Sequence, residues 1–384
     1  MKILILADGM YPFVLGGMQK HSYSLAKSLN LHGIHVYVIH YYHDNSDGNI
    51  VNHPEFEVFD KNTASFSAIP FPKFKKIPGH YLRANLKFSL EAWNKIKSEI
   101  GNYDLIYSQG FTGFHFIKMK LQGKHNVPIW VNFHGFEMFQ KSPDFFTGLK
   151  HHLFRNKVKW ICRNTDIVLS YGGKISSLVR TLGVKENKII ESPMGIDDSW
   201  FKTNHPINSN NEKIKFIFVG RYEKRKGIDE LNLALNNLLI DGKKYEFEFH
   251  FIGPIPDSKK IQDKRLIYHG SISNQNKISE ILRQCDVLVC PSHSEGMPTV
   301  ILEGMVCGCA IIATDVGAVS LELKENGWLL PKPEPKIIEE AIIEAIENKS
   351  QVAIMKEKSL IHVENFKWSK IASQLIEKIK KTKN

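Results

Sequence analysis

The sequence predicts an α/β chain of two doubly wound domains facing across a cleft, and three observations carry that expectation. Short apolar runs alternate with amphipathic stretches at helical spacing, the βαβ rhythm of a parallel sheet. The rhythm stops at a polar segment with Pro and several Asn, residues 202–212, and then restarts. The length of 384 residues suits two or three domains at roughly 150 residues each.

Taken in order, the first half offers strands at 2–7, 35–40, 56–59, 104–108, 129–133, 166–170 and 188–191. A helix is expected from Met18 to Leu29, where Met18, Leu25 and Leu29 keep roughly helical spacing. The second half offers strands at 215–219, 246–252, 266–269, 287–290 and 310–313. The tail, 368–383, is helical in pattern, with Ile371, Leu375, Ile376 and Ile379 on one side and lysines on the other. Its positive charge matches that of the first half, so it is expected to pack back there. The domains are then 1–200 together with 367–384, and 201–366.

A composition of 42% hydrophobic and 24% charged residues excludes disorder, collagen and coiled coil as the main architecture. The start, MKILILADG, is too short in apolar residues for a secretory leader, and no run of about 18 apolar residues occurs. A cytoplasmic protein with at most peripheral membrane contact is expected. Cys162, Cys285, Cys290, Cys307 and Cys309 lack C-x-x-C spacing and read as buried free thiols. The net charge of +11 is uneven: residues 1–200 carry 24 Lys/Arg against 16 Asp/Glu, residues 201–366 carry 21 against 23, and the tail 6 against 1. Basic and aromatic side chains mix at 71–93 and 145–163, a combination that suits an anionic membrane surface. Nucleic acid is not an expected partner.

Three stretches carry candidate chemistry. Gly16 and Gly17 lie between the first strand and the first helix, where backbone amides at a helix N-terminus can approach a phosphate. The strand ending at Val219 runs into a cationic turn containing Gly220, Arg221, Arg225, Lys226 and Gly227, at the strand end where open α/β sheets bind ligands. A guanidinium and an ammonium there, Arg221 and Lys226, suit a diphosphate whose oxygens gain charge as it leaves. The third stretch is 287–321. Its strand ends at Cys290, a turn carries Ser294, Glu295, Gly296, Met297 and Pro298, and a helix begins near Thr299 with Val300 and Glu303. Glu295 precedes the helix and is expected to reach the cleft; Glu303 sits one turn in. With the amides of residues 299–301 they could hold a molecule bearing several hydroxyls and a phosphate.

This third stretch resembles the signature of retaining glycosyltransferases with the GT-B fold of two Rossmann-like domains, the large group 1 family that includes bacterial enzymes of surface-glycan synthesis. The likeness rests on Glu295-Gly-Met-Pro298, Glu303, Gly308 and Thr314-Asp-Val-Gly317. It extends to Gly16-Gly17, His134-Gly135, Gly220-Arg221 with Lys226-Gly227, Pro193-Met-Gly195-Ile-Asp197 and Trp368. The resemblance implies that Glu303 holds the ribose, Glu295 orients donor-sugar hydroxyls, and Arg221 and Lys226 neutralise the diphosphate. Gly17 would lend it an amide, and His134 would face the sugar near the reacting carbon, with Glu137 toward the acceptor. The nucleobase, uridine or guanosine, would lie near Gly253-Pro254 and Gly270-Ser271-Ile272.

Four positions depart from the family pattern. Met194 replaces asparagine, Cys309 replaces proline, Ala318 replaces a second glycine, and Leu321 takes the place of a glutamate that appears one residue late as Glu322. The shape of the loop at 315–322 is thereby put in question. The implied reaction is transfer of a sugar from a nucleotide-diphosphate sugar, a co-substrate with no further cofactor, to a glycan or lipid-linked acceptor hydroxyl with retention. No Asp-x-Asp stands at a strand end, so metal-independent catalysis is expected. A nicotinamide-dependent dehydrogenase would need G-x-G-x-x-G after the first strand, which residues 8–17 lack. A non-catalytic sugar-nucleotide binder and a sugar-nucleotide epimerase on the same fold remain as alternatives.

Overall fold

The structure, a computed structural model, describes residues 1–14, 16–42, 53–75, 79–142, 144–202, 212–240 and 245–382. Most of the segment expected as a linker, 203–211, lies outside the described residues. The chain divides into two compact units. The first holds Met1–Phe139, Phe145–Met194 and the segment from Trp368; the second holds Gln140–Asp144 and Gly195–Lys367.

The first unit is built on strands β1 (Lys2–Ala7), β2 (His35–Tyr42), β3 (Ala64–Pro70), β4 (Leu105–Gln109), β5 (Ile129–Asn132), β6 (Ile167–Ser170) and β7 (Ile189–Glu191). They lie in the order β3-β2-β1-β4-β5-β6-β7, with every pair parallel. Its helices are α1 (Gly17–Leu31), α2 (His80–Ile96), α3 (Phe114–Leu121), α4 (Phe145–Asn164) and α5 (Lys174–Thr181). Ile3, Leu4, Ile5 and Leu6 of β1 are all fully buried, which is why this strand reads as an unbroken apolar run: a parallel sheet is covered on both faces. The strand order reverses between β1 and β4, and side chains beyond their carboxyl ends therefore line the crevice of the sheet.

The second unit repeats the plan with β8 (Ile214–Val219), β9 (Phe247–Ile252), β10 (Leu266–Tyr268), β11 (Val287–Cys290), β12 (Ala310–Thr314) and β13 (Gly327–Leu330). The order is β10-β9-β8-β11-β12-β13, all parallel, with its reversal between β8 and β11. Helices α6 (Ile228–Ile240), α7 (Gln275–Arg283), α8 (Thr299–Val306), α9 (Val319–Glu322), α10 (Pro335–Glu347) and α11 (Lys349–Val363) follow the strands. Phe216 and Phe249 stack at 5.9 Å in a core completed by Leu231 and Leu235 of α6 and Ile338 and Ile342 of α10. Each such side chain contributes about 1.5–3 kcal/mol on burial. The last helix, α12 (Trp368–Lys381), belongs to the first unit, where it packs against α1 and Trp368 meets the His21 ring at 5.1 Å.

Two strand expectations need correction. The aromatic run at 56–59 is no strand: Pro54 opens a 3-10 turn over Pro54–Phe56, and Phe56 and Phe59 pack on Tyr23 at 5.6 and 5.8 Å. The true edge strand is β3, whose Ala, Ser and Pro content hid it, with Phe66 packed 5.1 Å from Phe56. The second unit's edge strand β13 was likewise unmarked, being four residues long and opening on a glycine. All five cysteines are buried and free. Among the described residues no helix is long and apolar enough to cross a membrane.

Candidate active site

At the β8/β11 reversal two loops meet. The first leaves β8 at Gly220 and makes a single 3-10 turn, Lys224–Lys226, before α6; the second links β11 to α8. Their junction is the Glu295 carboxylate, which receives Lys226 Nζ at 2.7 Å on Oε1 and Arg225 Nη1 at 2.9 Å on Oε2. Ser292 Oγ adds a third donor to Oε1 at 2.9 Å. Burial alone would push the Glu295 carboxyl up, but Lys226, Arg225 and Ser292 together hold it below the usual carboxylate range. Glu295 is therefore an ionised carboxylate locked to the cationic turn.

The sequence named Arg221 and Lys226 as the clamp and passed over Arg225. In the structure Arg225 is the inner guanidinium, bonded to Ser294 O at 3.1 Å as well as to Glu295. Arg221 points outward, with 72% of its side chain exposed, and pairs with Glu223 at 3.0 Å. Gly227 makes the junction possible: at φ 67° it approaches Pro291 so closely that a Cβ would stand 1.8 Å from the Pro291 carbonyl oxygen.

The segment that begins at Glu295 is fixed from its other side. Gly317, at φ 56°, lies against the Glu295 and Gly296 carbonyls, where a Cβ would come within 2.3 Å of both oxygens. Ala318 N donates to Gly296 O at 2.8 Å with its own φ at −106°, a conformation open to any residue. The alanine that departs from the family pattern thus leaves this contact intact. Met297 and Pro298 are buried behind it, while Thr299 and Val300 begin α8 half-buried, with no side chain capping the helix. Glu303 is half-buried one turn along. Ser271 is exposed beyond β10, with β9 between it and the β8/β11 reversal, so the sheet does not bring it to the Glu295 cluster.

Glu322, outside the predicted site residues, is fully buried, and neither carboxylate oxygen has a hydrogen-bond partner among the described residues. Burial, followed by the charge of Glu295, raises it well above the usual range, so it is a neutral carboxylic acid.

In the first unit, α1 begins at Gly17, and Gly16 precedes it without a side-chain cap. Among the described residues no side chain caps the helix, and first-turn amides at such an end can meet an anion. One turn on, the ring of His21 stands edge-on to His134 at 4.9 Å, so the unit does bring the glycine-led helix and His134 together.

His134 follows β5 at φ 57°, and its backbone N–H donates to Asn132 Oδ1 at 2.7 Å. A backbone N–H only donates, so the remaining terminal group of Asn132 is its NH2. That group donates to the Tyr107 hydroxyl at 3.0 Å. The Tyr107 hydroxyl is hydrogen-bonded to His21 Nε2 at 3.0 Å, and the Tyr171 hydroxyl to His134 Nδ1. The Met194 sulfur, 3.8 Å from the Tyr171 oxygen, is the weaker acceptor there. It also stands 3.2 Å from His21 Nδ1, which gives the methionine at the asparagine position a defined partner. His134 Nε2 is a buried atom with no hydrogen-bond partner among the described residues. Burial drives the imidazole down to about 3 and, with His134, drives His21 well below its usual value. His134 is a neutral imidazole.

Strand order and site together define a GT-B glycosyltransferase with two Rossmann-like domains. The Glycosyltransferase Family 4 model matches residues 15–200 and the Glycosyl transferases group 1 model matches residues 201–360. The chain belongs to this glycosyltransferase family, which supports glycosyl transfer as its activity. It is 27% identical over 382 residues to the uncharacterized glycosyltransferase MJ1178 of Methanocaldococcus jannaschii, covering 96% of this chain and 95% of that one. It is 30% identical over 191 residues to the putative teichuronic acid biosynthesis glycosyltransferase TuaC of Bacillus subtilis, covering 48% and 46%. Anabaena HepE, solved in complex with UDP, shares the fold at a TM-score of 0.70 and 17% identity, covering 99% of this chain and 100% of HepE.

Proposed function

We propose that the protein is a retaining hexosyltransferase that moves a sugar from a UDP- or GDP-linked donor to an acceptor hydroxyl in cell-surface polysaccharide or lipopolysaccharide synthesis. The observation that carries this reading is the Lys226–Glu295–Arg225 cluster at the β8/β11 reversal. It holds two cations ready for a diphosphate; HepE, which shares the fold, was solved in complex with UDP, and the relative TuaC is named for teichuronic acid biosynthesis.

On this reading the incoming diphosphate takes over Lys226 and Arg225 as ligands, and the released Glu295 carboxylate accepts from donor-sugar hydroxyls. Arg221 folds inward to the outer phosphate, the α1 amides at Gly17 complete the anion's surroundings, and Glu303 accepts from the ribose. His134 offers its Nε2–H to a sugar oxygen. The bond from the anomeric carbon to the phosphate oxygen breaks, the departing phosphate oxygen takes the acceptor's hydroxyl proton, and the new glycosidic bond forms on the face the diphosphate left. Cationic stabilisation of the leaving group is the larger effect, worth several kcal/mol per donor in a dry site. The reaction is proposed to run without a metal, at the cytoplasmic side, on a glycan or lipid-linked acceptor.

The test is incubation with UDP- and GDP-hexoses and surface-glycan acceptors in excess EDTA, following nucleoside diphosphate release and the anomeric configuration of the product. Release in EDTA with a product of donor configuration is expected. An inverted product would overturn retention, and activity that returns only with a divalent ion would overturn metal independence.

A further inference from the structure

We propose that the N-terminal half of α4 is an insertion surface that seats the protein on an anionic lipid bilayer. The proposal extends the reading of a lipid-linked acceptor, and its test does not depend on turnover. The helix has two unlike halves. Its buried residues, Val158, Ile161 and Cys162, all lie in the second half. In the first half four of the five large apolar residues turn to solvent, Phe154 being the exception: Phe145 is 79% exposed, Phe146 74%, Leu149 60% and Leu153 48%. At 3.6 residues per turn these four fall on one stripe, opposite the buried face. Phe145 and Phe146 meet only edge to face, 6.0 Å apart. A contiguous apolar stripe of this size in water marks a surface that meets something apolar.

Charge decides the occupant. Between Phe145 and Asn164 the sequence has five Lys/Arg and no Asp or Glu. Two of the five are committed within the protein: Arg155 donates to Met138 O at 2.8 Å and Arg163 to Leu182 O at 2.8 Å. Lys150 stands exposed beside the stripe, and Lys157 flanks it, its ammonium 4.5 Å from the centre of the Phe114 ring. The segment leading into α2 adds exposed Lys73, Phe74 and Lys75, and α2 meets α4 where Tyr81 lies 6.4 Å from Phe154. Lys76 lies outside the described residues. An apolar stripe with flanking cations and no acid of its own is the pattern of an interfacial helix that enters the acyl boundary while its lysines meet anionic headgroups. A protein partner would have to supply an unbroken acidic rim around an apolar face; an anionic bilayer has both by construction.

The experiment uses the full chain with vesicles of phosphatidylcholine alone or mixed with phosphatidylglycerol. Binding to the mixed vesicles is expected, weakening as salt rises. The triple variant Phe145→Ser/Phe146→Ser/Leu149→Ser should bind about tenfold or more less tightly, and Lys150→Glu/Lys157→Glu should lose the preference for phosphatidylglycerol. Because the five native thiols are buried, a dye on Leu149→Cys reports on this stripe alone, and its emission should shift to the blue with the mixed vesicles. Absence of binding, equal binding to both vesicle types, or a triple variant that binds as wild type would each overturn the proposal. Thermal stabilisation by UDP or GDP, measured on the same preparations without lipid, separates its failure from a failure of the glycosyltransferase reading.

Discussion

Lys226 and Glu295 stand 2.7 Å apart although 69 residues separate them in the chain. Each comes from the loop at the carboxyl end of one of the two strands flanking the order reversal, so the pair exists because β8 and β11 are neighbours. With 18% of the lysine and 8% of the glutamate side chain exposed, water screens the pair far less than a surface ion pair. Arg225 doubles the positive charge, and a dianionic diphosphate is the ligand that can outbid one carboxylate for both cations.

Lys226→Ala should lower turnover by about 10²-fold or more, the scale of removing one electrostatic stabiliser of a leaving group. The fold should survive, because Arg225 and Ser292 still hold Glu295. Nucleotide release measured beside a circular-dichroism melt checks both halves; an unchanged rate in the folded variant would remove Lys226 from the chemistry.

The two glutamates should part company in a binding experiment. In Glu295→Ala the diphosphate no longer competes with a carboxylate for Lys226 and Arg225, so binding of UDP or GDP alone should hold or tighten while sugar transfer collapses. Glu303→Ala should instead weaken binding of the nucleoside diphosphate itself. Calorimetry with the nucleotide alone distinguishes them, and equal losses would contradict the assignment.

How much of this was legible in the sequence depends on whether the signal was local. The strands of both sheets near the reversals announce themselves as apolar runs because both faces are covered. The edge strand β3, with Ser65, Ser67 and Pro70, carries no such run and lost out to the aromatic Phe56 and Phe59. The cationic turn was visible, but Lys224, Arg225 and Lys226 are equal in sequence, and only the 3-10 turn and Gly227 decide that Arg225 and Lys226 face Glu295. His134 was recognised through the family pattern. His21, Tyr107, Tyr171 and Asn132, which make up its hydrogen-bond and ring network, come from four elements, and no spacing connects them. Glu322 was noticed only as a displaced family residue; its missing partners became visible with the packing.

Glu322 predicts an unusual pH dependence of stability. Its folded pKa lies above its unfolded one, since burial and Glu295 keep it neutral, while the unfolded chain gives up that proton near pH 4.3, roughly the free value. The stability that goes with this proton is therefore complete below that pH. It is lost as pH rises toward the folded pKa, by at most about 1.4 kcal/mol per pH unit. Glu322→Gln keeps the shape and has no proton to lose. It should melt close to wild type near about pH 4 and increasingly above wild type toward about pH 8. Thermal melts across that range test it, and a difference independent of pH would mean that Glu322 is ionised in the folded protein.

Tyr171 should control which nitrogen of His134 carries the proton. Its hydroxyl is hydrogen-bonded to His134 Nδ1, and the Met194 sulfur, 3.8 Å away, is a weaker acceptor. Donation to Nδ1 is therefore the expected arrangement, and it places the His134 proton on Nε2. Tyr171→Phe removes that donor, so Nδ1 can take the proton and Nε2 can become a lone pair where the proposed reaction needs a donor. Nitrogen-15 spectra of histidine-labelled protein, taken without substrate, should show an Nε2–H His134 in wild type and a larger Nδ1–H share in Tyr171→Phe. Turnover of the variant should fall by about 10²-fold, the cost of one lost donor at the reacting centre, with a much smaller change in the donor's KM. An Nδ1–H signal for His134 in the wild-type protein would sink the assignment.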